Sequence, residues 1–415
     1  MPKRIAYIQY TNPAAYPPLE HSSRILAEAD WRVLFLGIRM ETVAALEFPS
    51  HPNIIVRQLA VCHRGWRQKL HYATFTLWAI LRTIVWRASW VYASDKFAAA
   101  PALALSYLPG IRVLYHEHDS PSDCRNGHGA ELSWFMRFVL WARRKLARRA
   151  AHCVLPNAKR LERFQRDTGR SGRATCVWNC PARNEAQELK PPNGGNSIAL
   201  VYHGSLVPAR IPPTLIQALS FCPGARLRII GYETDGGNRY TAELQKIAHT
   251  VSVANRVEFI AAVPRRDSLA YCRAADVGVA FMPRKSADFN EQAMAGASNK
   301  PFDYLACGLA LLLSDLPEWR KLYVDTGYGI AVDPDDPHSI ADALIWYQQH
   351  PAERRDMGER GRQRILADWN YETQFAPVLE HLSSSHPVGS VQPAGARSTV
   401  NTIARPGSAS FTSPR

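Results

Sequence analysis

The stretch that most constrains how this chain can fold is residues 295–319. Its strand-like run, LALLLSD, is apolar almost throughout and lies between Gly308 and Pro317. Such runs are typical of parallel strands that are buried on both faces. A short helix-like segment with one acid, Asp303, precedes the run, and a turn of small polar residues precedes that segment. The stretch therefore predicts a turn, a helix and a fully buried strand within an α/β domain.

The turn before this helix has the chemistry of an anion site. It consists of Gly296, Ala297, Ser298 and Asn299, and a helix N-terminus presents unpaired backbone N–H groups that suit phosphate. Asp303 follows about one helical turn later. Its carboxylate can accept hydrogen bonds from two adjacent hydroxyls, such as those of a ribose. A nucleotide site is one interpretation of this turn, and ordinary α/β scaffold is the other.

The same stretch resembles the nucleotide-sugar signature of glycosyltransferase family 4 (group 1), whose members have the GT-B fold. In one subgroup the signature runs roughly SNK-x-F-(E/D)-Y-x-A-x-G, followed by a strand and S-D-x-P. The positions that match are Ser298, Asn299, Lys300, Phe302, Asp303, Tyr304, Ala306, Gly308, Ser314, Asp315 and Pro317. The resemblance implies two Rossmann-like, doubly wound domains that face a cleft. It also implies that the turn contacts the phosphates and sugar of the donor, and that Asp303 holds the ribose.

Further donor-site residues follow the strand-like run SIALVY. Gly204 comes directly after this run, where a glycine allows the backbone to approach a ligand closely. Family members carry two cations in this turn that flank the donor diphosphate. Arg210 matches the second cation, whereas Ser205 stands in place of the first. Lys300, or Arg284 with Lys285, is expected to supply the missing charge.

The next strand, LRIIG, ends at Gly231 and Tyr232, and the resemblance implies that the nucleotide base lies near them. No GxGxxG motif follows any strand-like run, which argues against a nicotinamide or flavin site. The co-substrate implied by the resemblance is a nucleotide diphosphate sugar. No other cofactor and no metal is expected.

Ala295 departs from the family pattern. Family 4 enzymes commonly show Glu-x7-Glu, with the first Glu below the reacting carbon of the donor sugar, and Ala295 occupies that position. Asp288 or Glu291 can replace it only if the loop is longer. The family retains anomeric configuration, often described as front-face attack in which the leaving diphosphate takes the acceptor proton. Because that mechanism depends on positioning and charge stabilisation, activity remains expected without the Glu.

The first half of the chain begins as another α/β domain, with the runs RIAYIQY and RVLFLG on either side of a loop and a helix. The loop after a first strand lies at the ligand edge of such sheets. Glu20 and His21 are therefore expected on the acceptor side, with an ordinary solvated helix start as the alternative.

Four titratable residues, HEHD, follow the strand-like run RVLY. They are therefore expected at the carboxyl edge of the sheet, where ligands bind in such domains. By resemblance, His118 and Asp119 match a His-Asp step that faces the donor sugar, so His118 is expected to contact the sugar and assist the reacting centre. Glu117 is expected as a general acid/base or an acceptor contact. The alternatives are a metal site, for which no further ligand cluster has matching spacing, and a loop-edge cap.

Two long segments are rich in apolar side chains. Residues 71–90 are interrupted by Arg82 and Arg87, and are interpreted as a buried helix that packs on the sheet. Residues 131–149 predict a basic, aromatic amphipathic helix. Such a helix suits an anionic membrane surface, and the alternative is a domain helix with a solvated cationic face.

The composition limits the possible partners and compartments. The net charge of +14 makes an anionic partner plausible, but no nucleic-acid-binding motif accompanies the charge. The N-terminus lacks the apolar core of a signal peptide, and no uncharged apolar run is long enough to span a membrane. Eight scattered cysteines without a CxxC pair favour a reducing compartment. The expected location is the cytoplasm, or the inner face of the cytoplasmic membrane as a peripheral protein.

We predict an acceptor domain at residues 1–185 and a donor domain at 196–368, joined by a Pro- and Gly-rich linker. Residues 369–382 are predicted to form a helix that crosses back to the first domain, and 383–415 a disordered tail.

The predicted activity is transfer of a sugar from a nucleotide diphosphate sugar to a hydroxyl of a glycan or lipid-linked acceptor. The expected product is a surface polysaccharide or a glycolipid. One alternative is a GT-B-fold sugar-nucleotide epimerase, for which Asp95, Glu117 and Asp119 are the candidate acids. The other is a non-catalytic nucleotide-sugar-binding protein, which Ala295 and Ser205 favour.

Overall fold

The computed structural model describes residues 3–39, 46, 48–60, 66–121, 133–187, 197–233 and 239–384. Most of the predicted linker, the start of the predicted helix at 131–149 and nearly all of the predicted tail lie outside the described residues. Within them the chain forms two α/β domains, each built on one parallel sheet. The predicted fold class is therefore confirmed.

The first domain contains seven parallel strands among the described residues, with helices on both faces of the sheet. The strands are β1 (Arg4–Ile8), β2 (Arg32–Ile38), β3 (Ile54–Leu59), β4 (Trp90–Ser94), β5 (Arg112–His116), β6 (His152–Leu155) and β7 (Ala174–Cys176). The helices are α1 (Pro17–Glu28), α2 (Trp66–Val85), α3 (Ala99–Leu105), α4 (Trp134–Arg149) and α5 (Ala158–Thr168). Across the sheet the order is β3-β2-β1-β4-β5-β6-β7.

The second domain repeats this architecture with six parallel strands among the described residues. The strands are β8 (Ile198–Ser205), β9 (Ala225–Tyr232), β10 (Val257–Ala261), β11 (Val277–Ala280), β12 (Ala310–Ser314) and β13 (Gly329–Val332), in the order β10-β9-β8-β11-β12-β13. The helices are α6 (Pro213–Ala218), α7 (Arg239–Thr250), α8 (Arg265–Arg273), α9 (Phe289–Gln292), α10 (Asn299–Ala306), α11 (Pro317–Trp319), α12 (Pro337–Gln349) and α13 (Pro351–Ala367). A last helix, α14 (Tyr371–Ser384), follows.

Strand β12 is the fully buried strand that the sequence predicts. Every residue from Ala310 to Ser314 is buried. It pairs in parallel with β11 and β13, with Leu312 beside Val279 on one side and Ile330 on the other. Because both faces of the strand are covered by helices, its apolar side chains do not alternate with polar ones.

The order of strands places a ligand edge in each domain. The first sheet changes direction between β1 and β4, and the second between β8 and β11. In open parallel sheets, ligands bind beyond the carboxyl ends of the strands at such points. The segments that follow these strands meet in one cleft between the domains.

Helix α14 lies against the first domain, although it follows the second in sequence. The amide of Tyr371 donates to the carbonyl of Pro181 at 2.8 Å. Tyr371, Phe375, Val378 and Leu382 are buried in the cluster that contains residues of β1 and α1.

The interpretation of residues 71–90 as a buried helix is wrong in part. The helix runs from Trp66 to Val85, and Trp90 already belongs to β4. Only one side of α2 is buried, through Tyr72, Phe75 and Ala79, while several large apolar side chains on the opposite side are exposed. In the part of the chain that the structure describes, no helix is both long and apolar enough to cross a bilayer.

Candidate active site

A cavity of about 660 Å³ occupies the cleft between the carboxyl edges of the two sheets. This volume is within the usual range of small-molecule sites. Both domains contribute to its wall. The residues that line it include Tyr16, Lys96, His118, Asp119, Arg160, His203, Gly204, Ser205, Arg210, Gly231, Tyr232, Arg265, Asp288, Asn290, Glu291, Ser298, Asn299, Lys300 and Asp303.

Two glycines allow the ends of β8 and β9 to form the floor of this cavity. A Cβ atom on Gly231 would lie 1.8 Å from the carbonyl oxygen of Gly204, so no side chain fits there. Gly204 has φ +123°, and a Cβ on it would lie 3.0 Å from Cε of Lys300. Both glycines line the cavity, and at these positions they do so with backbone atoms alone.

Two cations, Arg210 and Lys300, lie beside this floor. Nη2 of Arg210 is 3.8 Å from Oε1 of Glu291, whereas its buried Nη1 has no hydrogen-bond partner among the described residues. The ammonium of Lys300 is 5.4 Å from the ring centre of Tyr202. Burial and repulsion from Arg210 lower the pKa of Lys300 to about 7. The positive charge of this pair is thus incompletely balanced, and the pocket favours an anion.

The N-terminus of α10 faces the same space. Ser298 is the residue before the helix, its backbone is extended, and its side chain makes no capping hydrogen bond within the described structure. Ser298 and Asn299 both line the cavity. First-turn N–H groups of a helix attract negative charge, so they add to the two cations.

Asp303 belongs to an ion-pair network that the sequence did not predict. Both of its carboxylate oxygens accept from Arg265, at 2.7 and 3.1 Å. Arg265 also donates to both oxygens of Glu185, at 2.7 and 2.8 Å. Nε2 of His203 lies 3.5 Å from Asp303. Burial raises the pKa of Asp303, and the positive Arg265 opposes that rise.

On the first-domain side, His118 lies at the cavity wall after β5. Its amide donates to Oδ1 of Asp95 at 2.8 Å, and its ring centre is 5.5 Å from that of Tyr16. Burial lowers the pKa of His118 to about 4, so the imidazole is neutral at pH 7. Its buried Nε2 has no hydrogen-bond partner in the described structure. The ring can therefore form a hydrogen bond with a ligand.

Asp95 supports this loop from β4 in an unusual backbone conformation, with φ +63°. Burial, followed by repulsion from Asp119, raises the pKa of Asp95 to about 7. From the sequence, Asp95 was a candidate only as one of the acids of the epimerase alternative.

Arg160 of α5 connects Asp119 to the second domain. Oδ1 of Asp119 accepts from Nη1 of Arg160 at 2.8 Å. Arg160 also donates to the carbonyls of His118, Ala293 and Asn290, the last two in the second domain. The side chain of Arg160 is buried, so this guanidinium holds the His118–Asp119 step against the segment around α9.

The structure corrects the expectation for Glu117. Its carboxylate accepts two hydrogen bonds from Arg143, at 2.5 and 2.6 Å, and one from the hydroxyl of Tyr115 at 2.7 Å. All three residues lie in the interior of the first domain, and Glu117 does not line the cavity. Because successive side chains along an extended segment point to opposite sides, His118 and Glu117 cannot both face the cleft.

Glu20 and His21 also lie outside the cavity, contrary to expectation. Glu20 accepts from Arg24 at 2.9 Å, one helical turn along α1. His21 is buried beside Glu185, with Nε2 3.5 Å from its carboxylate. The first-domain side of the cavity is instead lined by the preceding loop, including Tyr16.

Of the cations expected to supply the missing charge, Lys300 lines the cavity. Arg284 forms an ion pair with Asp333 and does not line the cavity, and neither does Lys285. Ser205 and Tyr232 lie at the cavity wall next to the glycine floor. Asp288 and Glu291, the acids nearest to Ala295, line the cavity as well.

Arg160, Arg265 and Asn290 were not predicted from the sequence as residues of this site. No local motif marks these residues, because their partners are far away in sequence. Among the described residues, no group of three or more His, Cys, Asp or Glu side chains is arranged to hold a metal ion.

Known sequences match parts of this chain. Residues 210–380 match a family model described as Glycosyl transferase-like. A GDP-mannose-dependent alpha-(1-6)-phosphatidylinositol monomannoside mannosyltransferase from Mycolicibacterium smegmatis is 27% identical over 191 residues, which cover 46% of this chain and 48% of that protein. A monoacylated-substrate counterpart from Corynebacterium glutamicum is 26% identical over 186 residues, with 43% and 45% covered. The chain thus spans about half the length of the curated relatives it matches.

Solved structures resemble the whole architecture. Sucrose-phosphate synthase from Thermosynechococcus elongatus superposes with a TM-score of 0.69 at 16% identity, covering 92% of this chain and all of that one. HepE from Anabaena, in complex with UDP and glucose, gives 0.67 at 15% identity over the same shares. WaaG, a glycosyltransferase of lipopolysaccharide biosynthesis, gives 0.66 at 14% identity, again over 92% and 100%. At these identities the likeness concerns the fold alone, and this chain has the GT-B fold.

Proposed function

We propose that this chain is a group 1 glycosyltransferase that moves a sugar from a nucleotide diphosphate sugar to a hydroxyl of a glycan or lipid-linked acceptor. The observation that carries the proposal is the pair of incompletely balanced cations, Arg210 and Lys300, across the cleft from the neutral ring of His118. The family match at residues 210–380 covers Arg210, Lys300 and Asp303. Surface polysaccharide or glycolipid synthesis in the cytoplasm, or at its membrane, is the proposed setting.

In this proposal the donor lies along the second-domain wall. Arg210, Lys300 and the first N–H groups of α10 hold the diphosphate. Asp303 and Arg265 together hold the ribose, since Arg265 donates to both carboxylate oxygens and fixes their orientation. Gly231 and Tyr232 are next to the base.

The acceptor hydroxyl oxygen attacks the anomeric carbon, and the bond from that carbon to the β-phosphate oxygen breaks. The proton of the hydroxyl passes to the leaving diphosphate. His118 accepts or donates a hydrogen bond at the donor sugar, and Glu291, near the usual Glu position, contacts the sugar from below. Retention of configuration is part of the proposal. Fixed cations balance the leaving charge, so no metal is required.

A thermal-shift screen with UDP, GDP, ADP and dTDP, and with their common sugars, tests the donor site. Stabilisation grows with the logarithm of ligand concentration over Kd. We expect a shift with one base that survives EDTA, followed by acceptor-dependent release of that nucleotide from its sugar. No shift with any nucleotide would contradict the proposal. A shift without transfer would favour the binding-protein alternative, and epimerised sugar would favour the epimerase.

A further inference from the structure

The outer side of α2 carries a stripe of exposed apolar side chains. Trp66 is 68% exposed and Val85 is 75% exposed, and these two residues mark its ends. The residues between them follow one another at spacings of three, four or seven residues, which keeps them on one side of a helix. They are Leu70, Leu77, Leu81 and Ile84.

Helix α4 presents a second stripe, and its first turn contacts α2. Trp134, Phe138 and Trp141 are all exposed, and the last two rings stack with centroids 5.9 Å apart. Two contacts join the helices: the ammonium of Lys69 lies 5.2 Å from the ring centre of Trp134, and the rings of Tyr72 and Phe135 are 5.3 Å apart. We refer to the exposed sides of Trp66–Val85 and Trp134–Arg149 together as the α2–α4 face.

This face is positively charged as well as apolar. Neither helix contains an Asp or a Glu. The exposed cations at its border are Arg67, Arg82, Arg137, Arg144 and Lys145. A large exposed apolar patch marks an interaction site, and its charge selects the kind of partner. Two copies of this face would oppose like charges, so a second copy of the chain does not fit.

We propose that the α2–α4 face docks on the surface of an anionic lipid bilayer. Aromatic and leucine side chains enter the boundary between head groups and acyl chains, and Arg and Lys contact the anionic head groups. The two stripes lie parallel to their helix axes, so the helices would rest in the plane of the surface. This surface does not depend on the donor site, so either can fail without the other.

The face is connected to the cleft by a short series of contacts. Lys96 lines the cavity, and the next residue, Phe97, accepts through its carbonyl from the hydroxyl of Tyr72 at 2.9 Å. Tyr72 belongs to α2 and contacts Phe135 of α4. Both helices also begin at the carboxyl edge of the sheet, which borders the cleft. Docking would therefore bring the acceptor side of the cleft next to the bilayer.

Vesicle co-sedimentation tests the proposal. The full chain is mixed with vesicles of phosphatidylcholine alone or with about one third phosphatidylglycerol, and roughly tenfold stronger binding to the anionic vesicles is expected. Leu77→Ser/Leu81→Ser/Trp134→Ser and Arg144→Glu/Lys145→Glu should each reduce binding by about tenfold or more. The matched controls are Phe221→Ser and Lys246→Glu/Arg355→Glu, which change exposed residues of the second domain.

Brominated phosphatidylcholine in the same vesicles adds a depth measurement. It should quench the fluorescence of the parent, and Trp66→Phe/Trp134→Phe/Trp141→Phe should bind nearly as well with less quenching. Failure of the parent to bind anionic vesicles would overturn the proposal and leave an acidic protein as the partner of this face. Equal losses in the control variants, or binding without any change in quenching, would also overturn it.

Discussion

Asn290 and Ser120 exchange two hydrogen bonds across the cleft. The amide of Ser120 donates to Oδ1 of Asn290, and Nδ2 of Asn290 donates to the carbonyl of Ser120, each at 2.9 Å. Ser120 follows the His118–Asp119 step of the first domain, whereas Asn290 belongs to α9 of the second. The pair therefore fixes how close His118 lies to the second domain.

Replacing Asn290 by Ala should release this connection. The amide of Ser120 loses its acceptor, and one hydrogen bond is worth about 1 kcal/mol, so its hydrogen exchange should accelerate about fivefold or more. Residue-resolved hydrogen exchange measures this. The amide of His118, bonded to Asp95, is the internal control and should change less. A Ser120 amide that exchanges equally fast in the parent and the variant would show that the pair does not persist in solution.

Arg210→Ala should weaken binding of the nucleotide diphosphate by roughly 10- to 100-fold, because one charge-assisted hydrogen bond is lost. Titration calorimetry with the nucleotide found in the screen measures the effect. Arg284→Ala removes the same charge from an exposed ion pair outside the cavity and should leave the affinity nearly unchanged. Equal affinities in both variants would remove Arg210 from the donor site.

Donor affinity should depend on pH through Lys300. In the free protein, the pKa of Lys300 is lowered to about 7, so its charge is present below pH 7 and lost above it. A bound diphosphate favours the charged form, so binding above pH 7 should take up a proton and the affinity should fall as the pH rises. Calorimetry in buffers of different ionisation enthalpy measures the uptake. Lys300→Arg keeps a charge that does not titrate, and should abolish the uptake; uptake that persists in this variant would contradict the assignment.

Asp95→Asn should stabilise the protein more at pH 8 than at pH 5.5. The pKa of Asp95 is raised from its ordinary 3.8 to about 7, so the folded state binds more protons than the unfolded state between these values. Between these two pKa values the free energy of unfolding of the parent therefore falls as the pH rises, by about 1.4 kcal/mol per pH unit. Asn tolerates the positive φ and can accept from His118. A pH-independent difference in Tm would contradict this.

The sequence predicted the two parallel-sheet domains because buried parallel strands leave a local signal, as in the run at Ala310–Ser314. It also predicted that Gly204, Lys300 and Arg210 lie together, through one family pattern. It could not show that Glu117 points inward to Arg143, since the direction of a side chain after a strand depends on backbone geometry. Arg160 and Arg265 were missed because their partners lie across the cleft or across the second domain.

The interpretation of α2 failed for a different reason. Its apolar content is high all round, and composition alone does not tell which side another element covers. The structure covers the side of Tyr72 and Phe75 and leaves the side of Leu77 and Leu81 exposed. This distinction requires the positions of neighbouring helices.

Arg265 shares its two pairs of hydrogen bonds between Asp303 at the cavity wall and Glu185 in the segment that leaves the first domain. Glu185 in turn lies beside His21 of that domain. A ligand that shifts the balance of Arg265 between its two carboxylates alters the contacts at the join of the domains. Such coupling is reciprocal. If a ligand in the cavity shifts the equilibrium constant between two domain angles by some factor, then any contact that stabilises one angle changes the affinity for that ligand by the same factor.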